Sequence, residues 1–208
     1  MNVAILGGSF NPPHICHVLL TQYVVATAQI DQVWFLPCYQ HAFGKALAPF
    51  HHRLTMCSLA VASFREGIVR VIPLERDRQG TSWTIDTVRH LQQHYPDIDF
   101  TWVIGSDVLS ELPGWKDFDQ LQHLISFLVI PRAGSLTSEC SPVDGAPNSQ
   151  LHALKTQRDA LEQQGIQLPN ISSTLVRERV RQQASIRHLV PREVEAYIYA
   201  HKLYARQE

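Results

Sequence analysis

The stretch that most constrains this chain is residues 7–17, Gly-Gly-Ser-Phe-Asn-Pro-Pro-His-Ile-Cys-His. It follows an apolar run at residues 3–6 that predicts a buried β-strand. After it, side chains recur at helical spacing, and these are Leu20, Tyr23, Val24 and Thr27. The glycines allow close approach to a ligand, and the two prolines delay the helix until His14 or Ile15. A helix start carries open N–H groups, so the sequence predicts a strand-to-helix turn that suits an anion.

Length, charge and cysteine content limit the classes of protein that this chain can belong to. Its 208 residues suffice for one α/β core, and a net charge of -1 gives no general attraction to nucleic acid or membranes. No apolar run approaches the roughly 18 residues of a membrane span, and no signal-peptide pattern is present. The four cysteines include no C-x-x-C pair. These features predict a cytoplasmic protein without a nucleic-acid or membrane partner.

Strand and helix patterns alternate along the rest of the chain. Strands are predicted at residues 33–36, 69–72, 100–104, 125–130 and 166–168. Helices are predicted from Pro49 to Phe64, over 84–95, 151–164 and 175–183, and from Pro191 onward. Loops are predicted at 38–48, 77–82 and 134–149, the last of them mobile. The alternation predicts one α/β domain, residues 1–208, with a doubly wound parallel sheet and a small C-terminal helical part.

The turn at residues 7–17 resembles the first signature of the adenylyl- and cytidylyltransferase superfamily. That signature is a glycine pair, an aromatic residue, a proline and then H-x-G-H, and here Cys16 stands in place of the last glycine. A bare H-x-x-H would more often be a polar helix surface, and no dinucleotide or Walker motif occurs. The resemblance implies a Rossmann-like nucleotidyltransferase fold. It also implies that ATP is bound by Gly7, Gly8, Ser9, Phe10, His14 and His17.

A second segment, Ile-Ser-Ser-Thr-Leu-Val-Arg at residues 171–177, resembles the second signature of the same superfamily, I-S-S-T-x-x-R. In that family it holds the terminal phosphates of the nucleotide. Hydroxyls at a helix start suit a phosphate, and an arginine one turn later can bind it with two donors. A Ser-Ser-Thr segment alone is most often a helix cap. Together with the first signature, the resemblance implies that ATP is also bound by Ser172, Ser173, Thr174 and Arg177.

Further segments narrow the resemblance to the bacterial nicotinate-nucleotide adenylyltransferases. Residues 82–87 resemble their S-Y-T-x-D-T, and residues 105–115 resemble their G-A-D-x-L-x-x-L-P-x-W. Only residues 134–164 lie outside the resemblance. It implies that Gly105 and Asp107 contact the adenosine of ATP, although Asp107 alone could equally cap a helix.

The same resemblance assigns the residues that bind the mononucleotide. It implies that Trp115 stacks on the pyridine ring and that Thr84 lies near its carboxylate, since a flat aromatic face suits an electron-poor ring. Standing alone, Trp115 could as well belong to the core. After the second strand the family commonly has P-P-H-K, whereas residues 39–45 here are Tyr-Gln-His-Ala-Phe-Gly-Lys. Lys45 is the lysine available to bind the substrate, although its alignment with the lysine of the family motif is open. The alternative is that Lys45 is a solvated surface residue.

The implied reaction is transfer of AMP from ATP to nicotinate mononucleotide, a step of NAD biosynthesis. The attacking phosphate is already an anion, so catalysis is positioning and charge stabilisation, with His14, His17 and Arg177 as the catalytic residues. Mg²⁺ is expected to come with ATP and not from a protein metal site. Two alternative acceptors stay open, nicotinamide mononucleotide and phosphopantetheine. A nucleotide-binding module without turnover is also open, because Cys16 stands in place of the family glycine. Whether the chain forms a homo-oligomer is also open.

Overall fold

The computed structural model describes residues 1–133 and 149–205. The chain divides into two compact units, of which unit 1 comprises Met1–Ser82 and Ile171–Glu208, and unit 2 comprises Trp83–Asn170. Residues 134–148 of the predicted mobile loop lie outside the described residues. The organisation of residues 1–208 as one domain stays a prediction.

Strands and helices alternate along the described residues, as the patterns predicted. The strands are β1 (Asn2–Gly8), β2 (Gln32–Pro37), β3 (Gln40–His41), β4 (Val69–Val71), β5 (Thr81–Ser82), β6 (Asp99–Gly105) and β7 (Ser126–Ile130). The α-helices are α1 (Ile15–Thr27), α2 (Phe50–Ala60), α3 (Leu74–Arg78), α4 (Thr84–His94), α5 (Phe118–Leu124), α6 (Ser149–Gln163), α7 (Ser173–Arg181) and α8 (Arg192–Ala200). Unit 2 contains β6, β7 and α4 to α6, and unit 1 contains the other elements.

The parallel sheet of unit 1 has the strand order β4-β2-β1. Ala4 lies opposite Val33, which in turn lies opposite Val69. The predicted strand residues 3–6 and 33–36 are at most 5% exposed. Such continuous burial is typical of parallel strands that helices cover on both faces. In this sheet the carboxyl end of β1 leads directly into the turn at residues 7–17.

A second, smaller parallel pair corrects two loop predictions. Gln40 of β3 lies opposite Thr81 of β5, and the Tyr39 N–H donates to Ser82 Oγ over 2.9 Å. The loops predicted at 38–48 and 77–82 therefore each contain a short strand, and α3 overlaps the start of the second. Strands of two residues are too short to show an alternating pattern.

Unit 2 contains the parallel pair β6 and β7, with Thr101 opposite Ser126. The strand predicted at 166–168 is wrong, because Leu168 forms only an isolated parallel bridge with Arg132. The next residue, Pro169, has no N–H with which to continue a ladder. Within the described residues, no helix is long and apolar enough to cross a membrane.

Two helix predictions also need correction. α2 ends at Ala60 with Val61 as its C-cap, so it is shorter than the pattern through Phe64 suggested. Thr27 of α1 is exposed and its hydroxyl donates to the Tyr23 carbonyl, so it does not belong to the buried face. That face is formed by Cys16, Leu20, Thr21 and Val24.

The C-terminal helices complete the core of unit 1. α7 and α8 pack against α2 through a cluster of apolar side chains that are at most 8% exposed. The cluster comprises Met56, Ala60, Val176, Val180, Ile186, Val190, Val194 and Ile198. Burial of these side chains stabilises unit 1 and fixes the start of α7 relative to α2.

Candidate active site

The turn after β1 is built around the buried ring of Phe10. Phe10 has a φ of 44°, in the left-handed region, and its side chain is 1% exposed. Its ring stacks on Phe35 at 5.2 Å and meets the edge of His17 at 5.0 Å. A Cβ on Gly8 would lie 3.4 Å from this ring, which is van der Waals contact. Because the Phe10 side chain lies in the core, any contact of Phe10 with ATP would come from its backbone.

The two predicted histidines lie together at the start of α1. His14 is the N-cap residue and is 4% exposed. Its backbone N–H donates to Nδ1 of His17 over 3.0 Å, and the two ring centroids are 3.8 Å apart. The carbonyl of Leu189 also accepts from the Ile15 N–H at 2.9 Å. The start of α1 is therefore held by a side chain of its own first turn and by a residue close to α8.

Asn11 is a structural residue of the turn that the sequence patterns did not reveal. It is 3% exposed, its Oδ1 accepts from the Ala48 N–H at 3.0 Å, and the Asn11–Pro12 peptide is cis. Its Nδ2 lies 3.5 Å from the Ala46 carbonyl. Asn11 therefore ties the turn to the loop that follows β2, and the sequence showed only a stiff Asn-Pro-Pro turn.

The second signature segment is hydrogen bonded to the first. Ser173 Oγ donates to the Pro12 carbonyl at 2.7 Å, and Arg177 Nη1 donates to the Asn11 carbonyl at 2.8 Å. A second Arg177 donor, Nη2, reaches Thr174 Oγ1 at 3.1 Å. Burial, and secondly the nearby Arg181, lower the pKa of Arg177. The starts of α1 and α7 thus meet in unit 1.

Ser172 has the role of a helix cap in this structure. Its hydroxyl accepts from the Leu175 N–H at 3.2 Å, so it satisfies one of the open donors of α7. The cap orients the remaining N–H groups at this helix start. Its predicted contact with ATP stays a prediction.

Lys45 lies on the exposed part of the loop after β2. A tight turn precedes it, in which the Gly44 N–H donates to the His41 carbonyl at 3.0 Å and Gly44 has a φ of 66°. His41 Nδ1 accepts from the Phe43 N–H at 3.1 Å. Burial, then the charges of Lys45 and Arg53, lower the pKa of His41. A neutral His41 beside an exposed lysine leaves the positive charge of this loop on Lys45.

In unit 2, Gly105 and Asp107 lie at the carboxyl end of β6. Asp107 forms an ion pair with Arg132 at 2.7 Å, and Ser106 Oγ accepts from the Arg132 N–H at 2.9 Å. A Cβ on Gly105 would clash with the Asp107 carboxylate and lie 2.8 Å from Arg132 Cδ. Glycine is therefore required for this carboxylate to fold back over the strand end. Arg132, which holds the carboxylate, was not among the site residues that the sequence assigned.

Thr84 and Trp115 both lie in unit 2, and an ion pair joins the segments that carry them. Thr84 opens α4, and Trp115 follows a short 3-10 helix, Leu112–Gly114. The neighbour of Trp115, Lys116, pairs with Asp86 in the first turn of α4 at 2.9 Å. Trp115 is only half-buried, so its ring is not a core side chain.

The chain matches the model of the cytidylyltransferase-like family over residues 5–179. It is 37% identical over 204 residues to a probable nicotinate-nucleotide adenylyltransferase of Myxococcus xanthus, covering 98% of this chain and 95% of the relative. It is 36% identical over 208 residues to one of Halalkalibacterium halodurans, covering 99% and 92%. A solved structure, Plasmodium falciparum nicotinic acid mononucleotide adenylyltransferase complexed with NaAD, matches with a TM-score of 0.76 at 19% identity. That match covers 98% of this chain and 97% of the other.

The structural likeness confirms the predicted fold class, an α/β fold with a parallel sheet of the Rossmann-like nucleotidyltransferase type. The family model spans both signature segments, and the relatives match almost the full length of the chain. The chain therefore belongs to the cytidylyltransferase-like family, and within it to the nicotinate-nucleotide adenylyltransferases.

Proposed function

We propose that this protein transfers AMP from ATP to nicotinate mononucleotide. An oxygen of the mononucleotide phosphate forms a bond to the α-phosphorus of ATP, and the bond from that phosphorus to the leaving pyrophosphate breaks. The product is nicotinate adenine dinucleotide. The observation that carries the proposal is the pair of hydrogen bonds from Ser173 and Arg177 to the carbonyls of Pro12 and Asn11, because they join the two phosphate-binding signatures.

His17 is the residue that we assign to the α-phosphate. Its Nδ1 accepts from the His14 N–H, so the ring proton of a neutral His17 lies on Nε2. That N–H can donate to a phosphate oxygen as negative charge develops there. Arg177 and the hydroxyl of Ser173 are assigned to the leaving pyrophosphate, supported by their place at the start of α7.

The acceptor needs orientation rather than activation. Its phosphate is an anion at neutral pH, so the reaction requires no general base. Trp115 is half-buried, which supports a role as a stacking surface for the pyridine ring. Thr84 lies at the start of α4, whose first turn pairs with Lys116 through Asp86. Lys45 remains the proposed charge on the loop after β2, facing an anionic substrate.

Magnesium is proposed to enter with ATP. Among residues 1–133 and 149–205, no three His, Cys, Asp or Glu side chains are grouped to hold a metal ion. We expect phosphate oxygens and water to coordinate the ion. When bound, Mg²⁺ would neutralise charge on the phosphates, while His17, Ser173 and Arg177 orient them.

Organisation and location complete the proposal. A single family model runs through the sequence of both units, which supports their action as one nucleotidyltransferase domain. The use of ATP in NAD biosynthesis supports the cytoplasmic location that the sequence predicted.

The decisive experiment is a pyrophosphate-release assay with ATP and either mononucleotide. We expect kcat/KM for nicotinate mononucleotide to exceed that for the amide at least about tenfold, a difference of roughly 1.4 kcal/mol. Equal rates with both acceptors would contradict the acid preference. ATP binding without any release of pyrophosphate would favour a nucleotide-binding module instead.

A further inference from the structure

The core of unit 1 contains a buried positive charge that the proposed reaction does not use. Arg53, on the first turn of α2, is 1% exposed. No carboxylate in the described residues lies within 4.0 Å of its guanidinium. Its flat group lies 5.3 Å from the ring centroid of Phe50. A buried charge without a counter-ion is costly, so the hydrogen bonds that it makes need a reason.

The acidic groups that interact with Arg53 are Cys38, Cys57 and Tyr204, and they do not compensate its charge. Burial raises the pKa of Cys38 and raises that of Cys57 well above its usual value. Burial likewise raises the pKa of the Tyr204 hydroxyl. At neutral pH these three groups therefore stay protonated, and Arg53 keeps an unbalanced positive charge beside the turn after β1.

The guanidinium donates to three backbone carbonyls on two different segments. Nη1 reaches the Ser9 carbonyl at 2.9 Å, in the turn after β1. Nη2 reaches the Tyr39 carbonyl at 3.1 Å, and Nε reaches the Ala48 carbonyl at 2.9 Å. Tyr39 and Ala48 lie near the start and at the end of residues 38–48, which we call the acceptor loop. Arg53 therefore holds both ends of the acceptor loop and the nucleotide turn with a single rigid group.

The bond to Ser9 also orients the turn itself. In a trans peptide the C=O and the following N–H point in opposite directions. With the Ser9 carbonyl turned toward Arg53, the N–H of Phe10 points away from the guanidinium. This is the backbone donor through which Phe10 could contact a phosphate, since its ring is buried.

We propose that Arg53 is a positioning residue for the transfer reaction. It fixes the acceptor loop, with Lys45, against the nucleotide turn, so that the mononucleotide phosphate and the triphosphate meet at the required distance. This inference rests on the proposed function, because it assigns the loop to the acceptor. A displacement of reacting groups by about 1 Å can cost about 10²-fold in rate, so the hold on the loop has a direct kinetic consequence.

The test compares Arg53→Lys and Arg53→Met in the full chain. Lysine keeps the positive charge but has one ammonium group, which cannot satisfy three carbonyls in the planar arrangement of a guanidinium. Methionine keeps much of the bulk and removes the charge. We expect both variants to raise the KM for nicotinate mononucleotide at least about tenfold, with a smaller change in the KM for ATP. Arg70→Met is the matched control, because Arg70 also stacks on a ring, that of Trp34 at 5.5 Å, and is exposed.

Hydrogen exchange gives a second readout that does not depend on turnover. The amides of Cys38 and Ala48 are bonded to Gly8 and Asn11 in the parent, so they are expected to be protected. In Arg53→Lys they should exchange at least about tenfold faster, while amides of β6 and β7 remain unchanged. If the parent proves inactive and these amides still exchange faster in Arg53→Lys, the transfer reaction is rejected and the loop-holding role is kept.

Three outcomes would overturn the positioning role. One is an Arg53→Lys enzyme with the kinetic constants and exchange rates of the parent. Another is a lower melting temperature in both variants with unchanged KM values, as expected for a purely structural residue. The third is loss of folding in both variants, which would make Arg53 a residue of the core alone.

Discussion

The backbone N–H of His14 donates to Nδ1 of His17 over 3.0 Å, and this single bond determines which ring nitrogen of His17 can donate. Because Nδ1 is an acceptor, a neutral His17 carries its proton on Nε2. The helix start thus uses one ring nitrogen of His17 for its own cap, and Nε2 is the nitrogen that we assign to the phosphate. The same side chain is a structural and a candidate catalytic group.

His17→Ala should reduce kcat by about 10²–10³, as expected for removal of a donor to the transition state. Steady-state release of pyrophosphate measures this. His94→Ala is the control, since His94 stacks on His90 at 3.9 Å but lies exposed at the end of α4. A loss of less than about threefold in His17→Ala would contradict the assignment.

Cys16→Ala should keep activity within a few-fold of the parent, and Cys16→Gly should match or exceed it. Cys16 is 3% exposed on the inner face of α1, and direct transfer has no step for a thiolate. The glycine variant should lower the melting temperature, because glycine in a helix costs about 1 kcal/mol relative to alanine. A Cys16→Ala loss as large as that of His17→Ala would give the thiol a chemical role. An inactive parent restored by Cys16→Gly would favour the binding-module alternative.

Arg177→Gln should raise the KM for ATP at least about tenfold, because it removes a charge from the start of α7 and the bond to the Asn11 carbonyl. Ser173→Ala should act in the same direction with a smaller effect. Arg181→Gln, one turn further along α7 and exposed, serves as the control. An unchanged KM for ATP and an unchanged kcat in Arg177→Gln would remove Arg177 from the phosphate site.

Trp115→Ala should weaken the binding of nicotinate mononucleotide by roughly 1–3 kcal/mol and leave ATP binding almost unchanged. The melting temperature should change little, because the ring is only half-buried. Trp102→Ala is the contrast, since Trp102 is 5% exposed in β6 and its loss should destabilise unit 2. Titrations of each substrate by calorimetry separate the two effects. Loss of ATP binding alone would mean that Trp115 does not bind the pyridine ring.

The stability of the protein should fall as the pH drops below about 6.5, partly because of His52. Burial, then the neighbouring His51 and His201, lower its pKa from 6.5, and its Nδ1 is 2.9 Å from the Tyr197 hydroxyl. The unfolded chain therefore binds this proton at a higher pH than the folded chain does. His52→Gln should flatten the dependence of unfolding free energy on pH between 7 and 5 in denaturant titrations. An unchanged slope in that variant would show that other groups cause the dependence.

Local patterns predicted the parts of the site that depend on residues close in sequence. The strand before Gly7, the helix start at His14 and the cap at Ser172 each follow from a few neighbouring residues. Arg53 and Asn11 were missed because their partners lie far along the chain, Arg53 with Ser9 and Asn11 with Arg177. A lone arginine or asparagine carries no periodic signal, so only the folded chain reveals its role.

The contrast between local and distant partners also explains the errors in the strand predictions. The pairing of Gln40 with Thr81 brings together two segments that are separately too short to be recognised. The apolar run that ends at Leu168 was read as a strand. Because the next residue is a proline, the hydrogen-bond ladder of a strand could not extend beyond it. Apolar runs in the sequence predicted the long strands well, because parallel strands that are covered on both faces need continuous apolar side chains.

The core of unit 1 is assembled from both ends of the chain, which has a consequence for biosynthesis. Met56 and Ala60 pack against Val176 and Ile198, and all of unit 2 is translated between them. As the polypeptide leaves the ribosome, the apolar face of α2 therefore stays uncovered until α7 and α8 have been synthesised. A nascent or truncated chain that ends before Ile171 would expose this face to aggregation and to chaperones. The order of synthesis thus makes the C-terminal helices the final step in completing the nucleotide-binding unit.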